Sequence, residues 1–124
     1  MNIIISNASG KPIYDQISTQ IKEKILTGEL KEGDALPSMR LLAKELRISV
    51  ITTKRAYEEL ERDGFIITMT GKGSFVAQKN MDLIREEYLK KIEQHIKEII
   101  SLSVSCDLSL EDLKQMMDLI YEEE

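Results

Sequence analysis

Several features that mark secreted, membrane-bound or metal-binding proteins are scarce or missing in this chain of 124 residues. It has a single cysteine, Cys106, so no internal disulfide can form, and no group of residues has metal-ligand spacing. Its longest apolar runs span only a few residues, too short to cross a membrane. The first residues lack the basic start and long apolar core of a signal peptide. These absences favour a cytoplasmic protein with no membrane partner.

The residues needed for catalysis are also scarce. The only histidine, His95, lies between Glu93 and Glu98 in a charged stretch, and Cys106 has no histidine near it in the sequence. The segment Gly71-Lys72-Gly73-Ser74 has the wrong spacing for a phosphate-binding loop, because its lysine stands between the glycines and a β-prone run follows. We therefore expect no catalytic residue, no metal and no cofactor.

The net charge of −5 is unevenly distributed along the chain. Residues 1–79 carry 12 Lys/Arg and 10 Asp/Glu, whereas residues 80–124 carry 5 Lys/Arg and 12 Asp/Glu. The first part is therefore slightly basic and the second strongly acidic. This distribution argues against a nonspecific polycation but allows a local basic face on the first part.

Hydrophobic spacing predicts three short helices in the first half of the chain. The first has isoleucines at every fourth position: Ile13, Ile17, Ile21 and Ile25. Ser38 can cap a second helix that runs to about Arg47, with three leucines facing inward: Leu41, Leu42 and Leu46. Ser49 can cap a third helix that runs to Asp63, and Gly64 suits the end of that helix.

A β-hairpin is predicted after the third helix. Two β-prone runs, residues 65–68 and 75–77, flank a turn that contains Gly71 and Gly73. Two short helices followed by such a hairpin form the winged helix-turn-helix plan. In that plan the second helix of the pair enters the DNA major groove, while the wing reaches the backbone or minor groove. Glycines at the wing tip allow close approach, and Lys72 between them can meet a DNA phosphate.

The end of the chain is predicted to form two helices. A stripe with three- and four-residue steps predicts a helix of roughly twenty residues, broken from Ser101 to Asp107; its members are Met81, Ile84, Tyr88, Ile92, Ile96 and Ile99. A shorter stripe follows: Leu113, Met117 and Ile120. The longer stripe is too long for the shorter helix to cover, so we expect a second copy of the chain to cover it. The alternative is that it packs against the first helix of the same chain.

These elements predict a mostly α protein with a small β-wing. Residues 1–78 would form a winged helix-turn-helix DNA-binding domain. Residues 79–124 would form a C-terminal helical hairpin that serves dimerisation.

Three blocks of sequence resemble the GntR family of bacterial transcription regulators. They are Leu36-Pro37-Ser38-Met39-Arg40-Leu41-Leu42-Ala43, Ala56-Tyr57-Glu58-Glu59-Leu60-Glu61-Arg62-Asp63-Gly64-Phe65-Ile66 and Gly71-Lys72-Gly73-Ser74-Phe75-Val76. The resemblance covers residues 11–77, and the short helical tail is similar to that of the YtrA-like branch. Larger branches carry ligand-binding or aminotransferase-like domains, for which this chain has no room. Any small-molecule effector would have only a small pocket, at the dimer interface.

The resemblance implies DNA contacts at four matching positions: Arg40, Lys54, Thr70 and Gly71. This chain departs from the family pattern at Val50, where many relatives have a DNA-contacting arginine, and at Met39, where glutamate is common. Arg47 replaces the usual glycine at the corner between the paired helices. It either adds a phosphate contact or is only a solvated side chain.

The residues and the resemblance together predict one set of DNA-binding residues: Ser38, Arg40, Ser49, Val50, Ile51, Thr52, Lys54, Arg55, Thr70, Gly71, Lys72 and Gly73. Val50 and Ile51 are apolar and β-branched, which suggests contact with thymine methyl groups, although Ile51 could instead pack into the core. The predicted function is a homodimeric repressor of an inverted-repeat operator. A rival function, a protein-interaction module with the same fold, would need no basic residues at the start of the third helix and at the wing tip.

Overall fold

The computed structural model describes residues 1–123, which form five helices and one two-stranded sheet. In chain order these are α1 (Ile13–Leu26), α2 (Met39–Leu46), α3 (Val50–Arg62), β1 (Ile66–Met69), β2 (Gly73–Val76), α4 (Met81–Ser105) and α5 (Leu110–Glu123). The chain divides into two compact units, Met1–Ile84 and the segment from Arg85 onward. The predicted fold class, mostly α with a small β-wing, is confirmed.

The core of the first unit is built from one face of each of its three helices and from the hairpin. Its most deeply buried apolar side chains are Ile17, Ile21, Leu42, Ala56, Tyr57, Leu60 and Ile66. The four-residue isoleucine spacing places Ile17, Ile21 and Ile25 on the buried face of α1. Burying one large aliphatic side chain contributes about 1.5–3 kcal/mol, so these contacts fix how the helices pack.

Serine caps start α2 and α3 where the sequence predicts them. Ser38 Oγ accepts a hydrogen bond from the Leu41 amide at 3.1 Å, and Ser49 Oγ accepts one from the Thr52 amide at 3.3 Å. Between the helices, Arg47 adopts a left-handed backbone conformation with φ of 58°. A side chain in that conformation costs about 1–2 kcal/mol, which explains why glycine is the usual residue at such a corner.

The prediction that Leu41 faces inward is wrong. Its side chain is 47% exposed, whereas Leu42 and Ala43 are buried. The Ser38 cap fixes the register of this eight-residue helix, and in that register Leu41 lies beside the buried face.

The predicted end of α4 is also wrong. The serines after Ile100 do not break the helix, because Ser103 Oγ donates to the Ile100 carbonyl at 2.7 Å and Ser105 Oγ donates to the Ser101 carbonyl at 3.1 Å. Hydroxyls bonded back to the preceding turn are compatible with a continuing helix. The helix therefore extends to Ser105, and Asp107 ends it with a positive φ of 57°.

The hairpin pairs β1 with β2 in antiparallel register, from Ile66 opposite Val76 to Met69 opposite Gly73. The outer edge of β2 binds the loop before α2, because the Leu36 amide donates to the Ser74 carbonyl at 2.9 Å and the Val76 amide donates to the Asp34 carbonyl at 2.9 Å. The wing is thus tied by main-chain hydrogen bonds to the segment that leads into α2.

The apolar stripes of α4 and α5 are largely uncovered within the single chain. Among the described side chains of these two helices, only Ser103 is buried. Most of the predicted dimerisation residues are exposed: Met81, Tyr88, Ile92, Ile96, Ile99, Met117 and Ile120. Ile84 and Leu113 are half-buried. The stripe thus offers a largely exposed apolar surface on α4 and α5.

The buried side of α3 is hydrogen-bonded to the backbone at the start of α2. Tyr57 Oη donates to the Pro37 carbonyl at 2.7 Å, and Thr53 Oγ1 donates to the Met39 carbonyl at 3.0 Å. Burial, together with the nearby Glu45 carboxylate, raises the pKa of Tyr57 above its ordinary value. The hydroxyl therefore stays protonated as a donor.

Replacing Tyr57 with phenylalanine should lower the free energy of unfolding by about 1–2 kcal/mol, because the Pro37 carbonyl loses its partner. The same change at Tyr121, which is 80% exposed, is the control and should have no effect. Chemical denaturation measures both values. Equal effects of the two substitutions would contradict a stabilising role for the Tyr57 hydroxyl.

The difference between wild type and Tyr57→Phe should also depend on pH. Unfolded tyrosine ionises near pH ~10, whereas the pKa of Tyr57 in the folded chain is higher. The stabilising contribution of the neutral hydroxyl is therefore fully present below about pH 10 and is lost above it. Denaturation at increasing pH should show the two proteins converging, and a constant difference would contradict the raised pKa.

Candidate nucleic-acid interface

The start of α3 presents two apolar side chains to solvent. Val50 is 46% exposed and Ile51 is 76% exposed. The alternative that Ile51 packs into the core is therefore wrong. Its own helix provides the reason, since Thr53, Ala56, Tyr57 and Leu60 form the buried face of α3. That spacing turns Ile51 to the opposite side.

The hydroxyl groups at this helix start are engaged in capping. Ser49 Oγ and Thr52 Oγ1 lie 2.9 Å apart and form a hydrogen bond with each other, in addition to the cap from Ser49 to the Thr52 amide. The first turn of a helix also carries main-chain amides without partners inside the helix and the positive end of the helix dipole. The starts of α2 and α3 can each therefore attract a phosphate group.

Basic residues lie close to both helix starts. Arg40 is exposed in the first turn of α2, and Lys54 is exposed in the second turn of α3. Lys54 Nζ lies 3.9 Å from Glu58 Oε1, and both side chains are more than half exposed, so this pair is weak. A phosphate could compete for the lysine at little cost.

Charge changes sign along α3. Lys54 and Arg55 lie in its N-terminal half, whereas its C-terminal half carries Glu58, Glu59 and Glu61 against a single cation, Arg62. A polyanion would therefore be attracted to the first two turns and repelled from the last two. The helix is suited to approaching DNA with its N-terminal end.

The wing tip is fully accessible. Thr70, Gly71, Lys72 and Gly73 are all exposed. The Lys72 amide donates to the Met69 carbonyl at 2.9 Å, which closes the turn, and Gly71 has a positive φ of 77°. No heavy atom lies within 4 Å of where a Cβ at Gly71 would stand, so the backbone conformation rather than crowding favours glycine there.

The predicted DNA-binding residues occupy three connected places: the start of α2, the start of α3 and the wing tip. Thr53 joins the two helix starts through its bond to the Met39 carbonyl. Main-chain bonds join the wing to the segment before Ser38.

Sequence reasoning missed one residue beside this set, Tyr14 of α1. The Arg55 guanidinium carbon lies 3.7 Å from the centroid of the Tyr14 ring. Both residues line an open groove of about 680 Å³ between α1 and α3, together with Ile51, Thr52, Lys54, Glu58, Glu59 and Arg62. The only available signal was that Tyr14 lies off the isoleucine stripe of α1.

Within residues 1–123, no group of histidine, cysteine, aspartate or glutamate side chains is arranged to hold a metal ion. The helices in that range also include none that is long and apolar enough to cross a membrane.

Residues 13–76 match the family model described as bacterial regulatory proteins, gntR family. The chain is 36% identical over 113 residues to the HTH-type transcriptional repressor YtrA of Bacillus subtilis, an alignment that covers 91% of this chain and 87% of that protein. The relatives are thus transcriptional regulators.

Solved structures agree with this relationship. YtrA from Sulfolobus acidocaldarius, a GntR-family transcription factor, is 37% identical with a TM-score of 0.60, covering 73% of this chain and 97% of its own. A Listeria monocytogenes protein described as a transcriptional antiterminator is 33% identical with a TM-score of 0.72, covering 98% of this chain and 90% of its own. The similarity to the second structure extends over nearly the whole chain.

Proposed function

Since the chain belongs to the gntR family of bacterial regulatory proteins, we propose that it is a homodimeric repressor that binds an inverted-repeat operator in the cytoplasm. That it is a transcriptional regulator with a DNA-binding domain follows from the family itself. The dimer, the repeat and the residues that carry binding are the proposed part. Repression is proposed because YtrA of Bacillus subtilis is a repressor.

The observation that carries the proposal is the exposed, cationic N-terminal half of α3. Lys54 and Arg55 lie there, and the carboxylates of this helix lie in its other half. In helix-turn-helix proteins the N-terminal residues of the second helix of the pair contact base edges in the major groove. A protein-interaction module would have no need of this charge arrangement.

Base recognition would combine polar and apolar contacts. Arg40 and Lys54 can donate hydrogen bonds to guanine edges, the commonest specific contact in the major groove. Val50 and Ile51, both exposed, can contact thymine methyl groups. Phosphates would be bound at the capped helix starts of Ser38 and Ser49 and by the wing tip with Lys72.

Residues 79–124 are assigned to dimerisation. The exposed stripe on α4, which includes Tyr88, Ile92 and Ile96, is an apolar surface of the kind that marks an interface. We choose a second copy of the chain as its partner because most soluble oligomers are symmetric homo-oligomers, and two-fold dimers are the commonest. A two-fold dimer would present two copies of α3 about one DNA turn apart, roughly 34 Å or a small multiple of it, which matches an inverted repeat.

Alanine substitutions in the proposed DNA interface should distinguish residues that contact bases from residues that contact phosphates. Arg40→Ala and Lys54→Ala should each weaken operator binding by about 1–3 kcal/mol, with a smaller effect on scrambled duplex. Lys72→Ala should weaken both duplexes alike and reduce the slope of log affinity against log salt by about 1, as loss of a phosphate contact does. Titrations of a promoter fragment defined by footprinting, repeated at several salt concentrations, measure these effects.

Lys97→Ala is the matched control. It removes an exposed lysine from α4, which lies outside the proposed DNA interface, on the side of the helix opposite the apolar stripe. It should leave affinity for both duplexes unchanged. All four substitutions are at exposed positions and should change the free energy of unfolding by no more than about 0.5 kcal/mol. Unchanged operator affinity in Arg40→Ala would contradict the role assigned to that residue.

Placing charge on the α4 stripe should convert the dimer to a monomer. The double substitution Ile92→Asp and Ile96→Asp puts two carboxylates on the apolar surface, where desolvating them would be costly. Light scattering should then give the mass of one chain, 14.2 kDa, instead of two. Operator affinity should fall towards the value for scrambled duplex, because the two half-sites would be bound independently.

The control is Gln94→Asp with Lys97→Asp, which adds two carboxylates to exposed positions on the opposite side of the same helix. It should remain dimeric, and circular dichroism should report the same helix content for both variants. A wild-type chain that scatters as a monomer, or a stripe variant that stays dimeric, would contradict this assignment.

A further inference from the structure

Arg55 is held against an aromatic ring instead of a carboxylate. Its guanidinium carbon lies over the half-buried Tyr14 ring, 3.7 Å from the ring centroid, which is a close cation–π contact. Within residues 1–123, the guanidinium of Arg55 forms no ion pair and no side-chain hydrogen bond, and its one described contact is the Tyr14 ring. The guanidinium is therefore held by the ring, while its N–H donors have no side-chain acceptor among residues 1–123.

The carboxylates nearest in sequence have other partners. Glu58 lies near Lys54, with 3.9 Å between Oε1 and Nζ, and Glu59 lies near Arg62, with 3.6 Å between Oε1 and Nη2. Both carboxylates line the same groove as Arg55. The arrangement thus leaves a guanidinium fixed by stacking with its donor edge unpaired.

The groove that contains this pair adjoins the start of α3. It is bounded by Tyr14 of α1 and by the exposed side of α3, and it begins at Ile51 and Thr52. When the first turn of such a helix enters the major groove, the sugar-phosphate strand at the groove edge passes beside it. The end of the groove beside that strand is the end where Thr52 and Arg55 lie.

We propose that Tyr14 is a positioning residue that holds Arg55 ready to bind a phosphate of the DNA strand bordering the major groove, which makes α1 part of the DNA interface. This inference depends on the proposed function. An arginine side chain is flexible, and stacking on a ring removes much of that freedom before DNA arrives. The planar fork of N–H donors then meets a phosphate with little further ordering.

The test is a double-mutant cycle between Tyr14 and Arg55, measured by titration with operator and with scrambled duplex. Tyr14→Phe keeps the ring face and should bind like wild type. Tyr14→Leu removes the ring and should weaken binding about two- to fivefold, the value of an exposed cation–π contact. The loss should be the same for both duplexes, because a phosphate carries no sequence information.

In an Arg55→Ala background, Tyr14→Leu should cause no further loss, and Arg55→Ala itself should reduce the salt slope by about 1. An equal loss from Tyr14→Leu with and without Arg55 would overturn the proposal. So would a loss in Tyr14→Phe as large as that in Tyr14→Leu, because it would point to the hydroxyl instead of the ring.

Tyr14 packs against the core, so Tyr14→Leu could weaken DNA binding by destabilising the fold. A second variant, at an exposed position, tests the proposal without that complication. Arg55→Lys changes only an exposed side chain and keeps its charge, but it loses the planar fork. It should keep the salt slope while weakening both duplexes by a similar two- to fivefold factor. Wild-type affinity in Arg55→Lys would overturn the proposal. A wild-type chain that does not distinguish operator from scrambled duplex would instead refute the proposed function.

Discussion

Two hydrogen bonds from the buried side of α3 to the backbone beside Ser38 set the geometry on which the DNA-binding face depends. Tyr57 binds the Pro37 carbonyl and Thr53 binds the Met39 carbonyl. Apolar packing holds α2 and α3 together, and these directional hydrogen bonds add a specific alignment of the two helix starts. Because Ser38 lies between the two acceptors, the capped start of α2, with Arg40 in its first turn, is fixed relative to the start of α3.

Local charge explains how a chain with a net charge of −5 can bind a polyanion. At physiological salt, exposed charges act over about 8 Å, so the charges close to a bound phosphate count for more than the total charge of the chain. Within α3 the first two turns carry only the cations Lys54 and Arg55, whereas the last two carry three carboxylates and one cation, Arg62. The sign of the charges nearest to the DNA, and not the net charge of the chain, decides which end of the helix approaches it.

Most of the fold could be predicted because it is encoded by residues close in sequence. The isoleucine spacing of α1 and the caps at Ser38 and Ser49 act within one or two turns, and each was located correctly. Errors arose where two local signals competed, as when serine hydroxyls bonded back into α4 instead of ending it. The stack of Arg55 on Tyr14 joins residues far apart in the chain, and no spacing rule indicates such a contact. Nor could spacing decide whether Ile51 was buried or exposed.

The central claim, that this chain recognises a particular DNA sequence, is tested most directly by one comparison of affinities at a fixed salt concentration. The wild-type chain is titrated with a footprinted operator from its own promoter region and with a scrambled duplex of the same length and composition. The operator should bind at least about 10³-fold more tightly, since base contacts add to the shared phosphate contacts. Equal affinity for the two duplexes would contradict it.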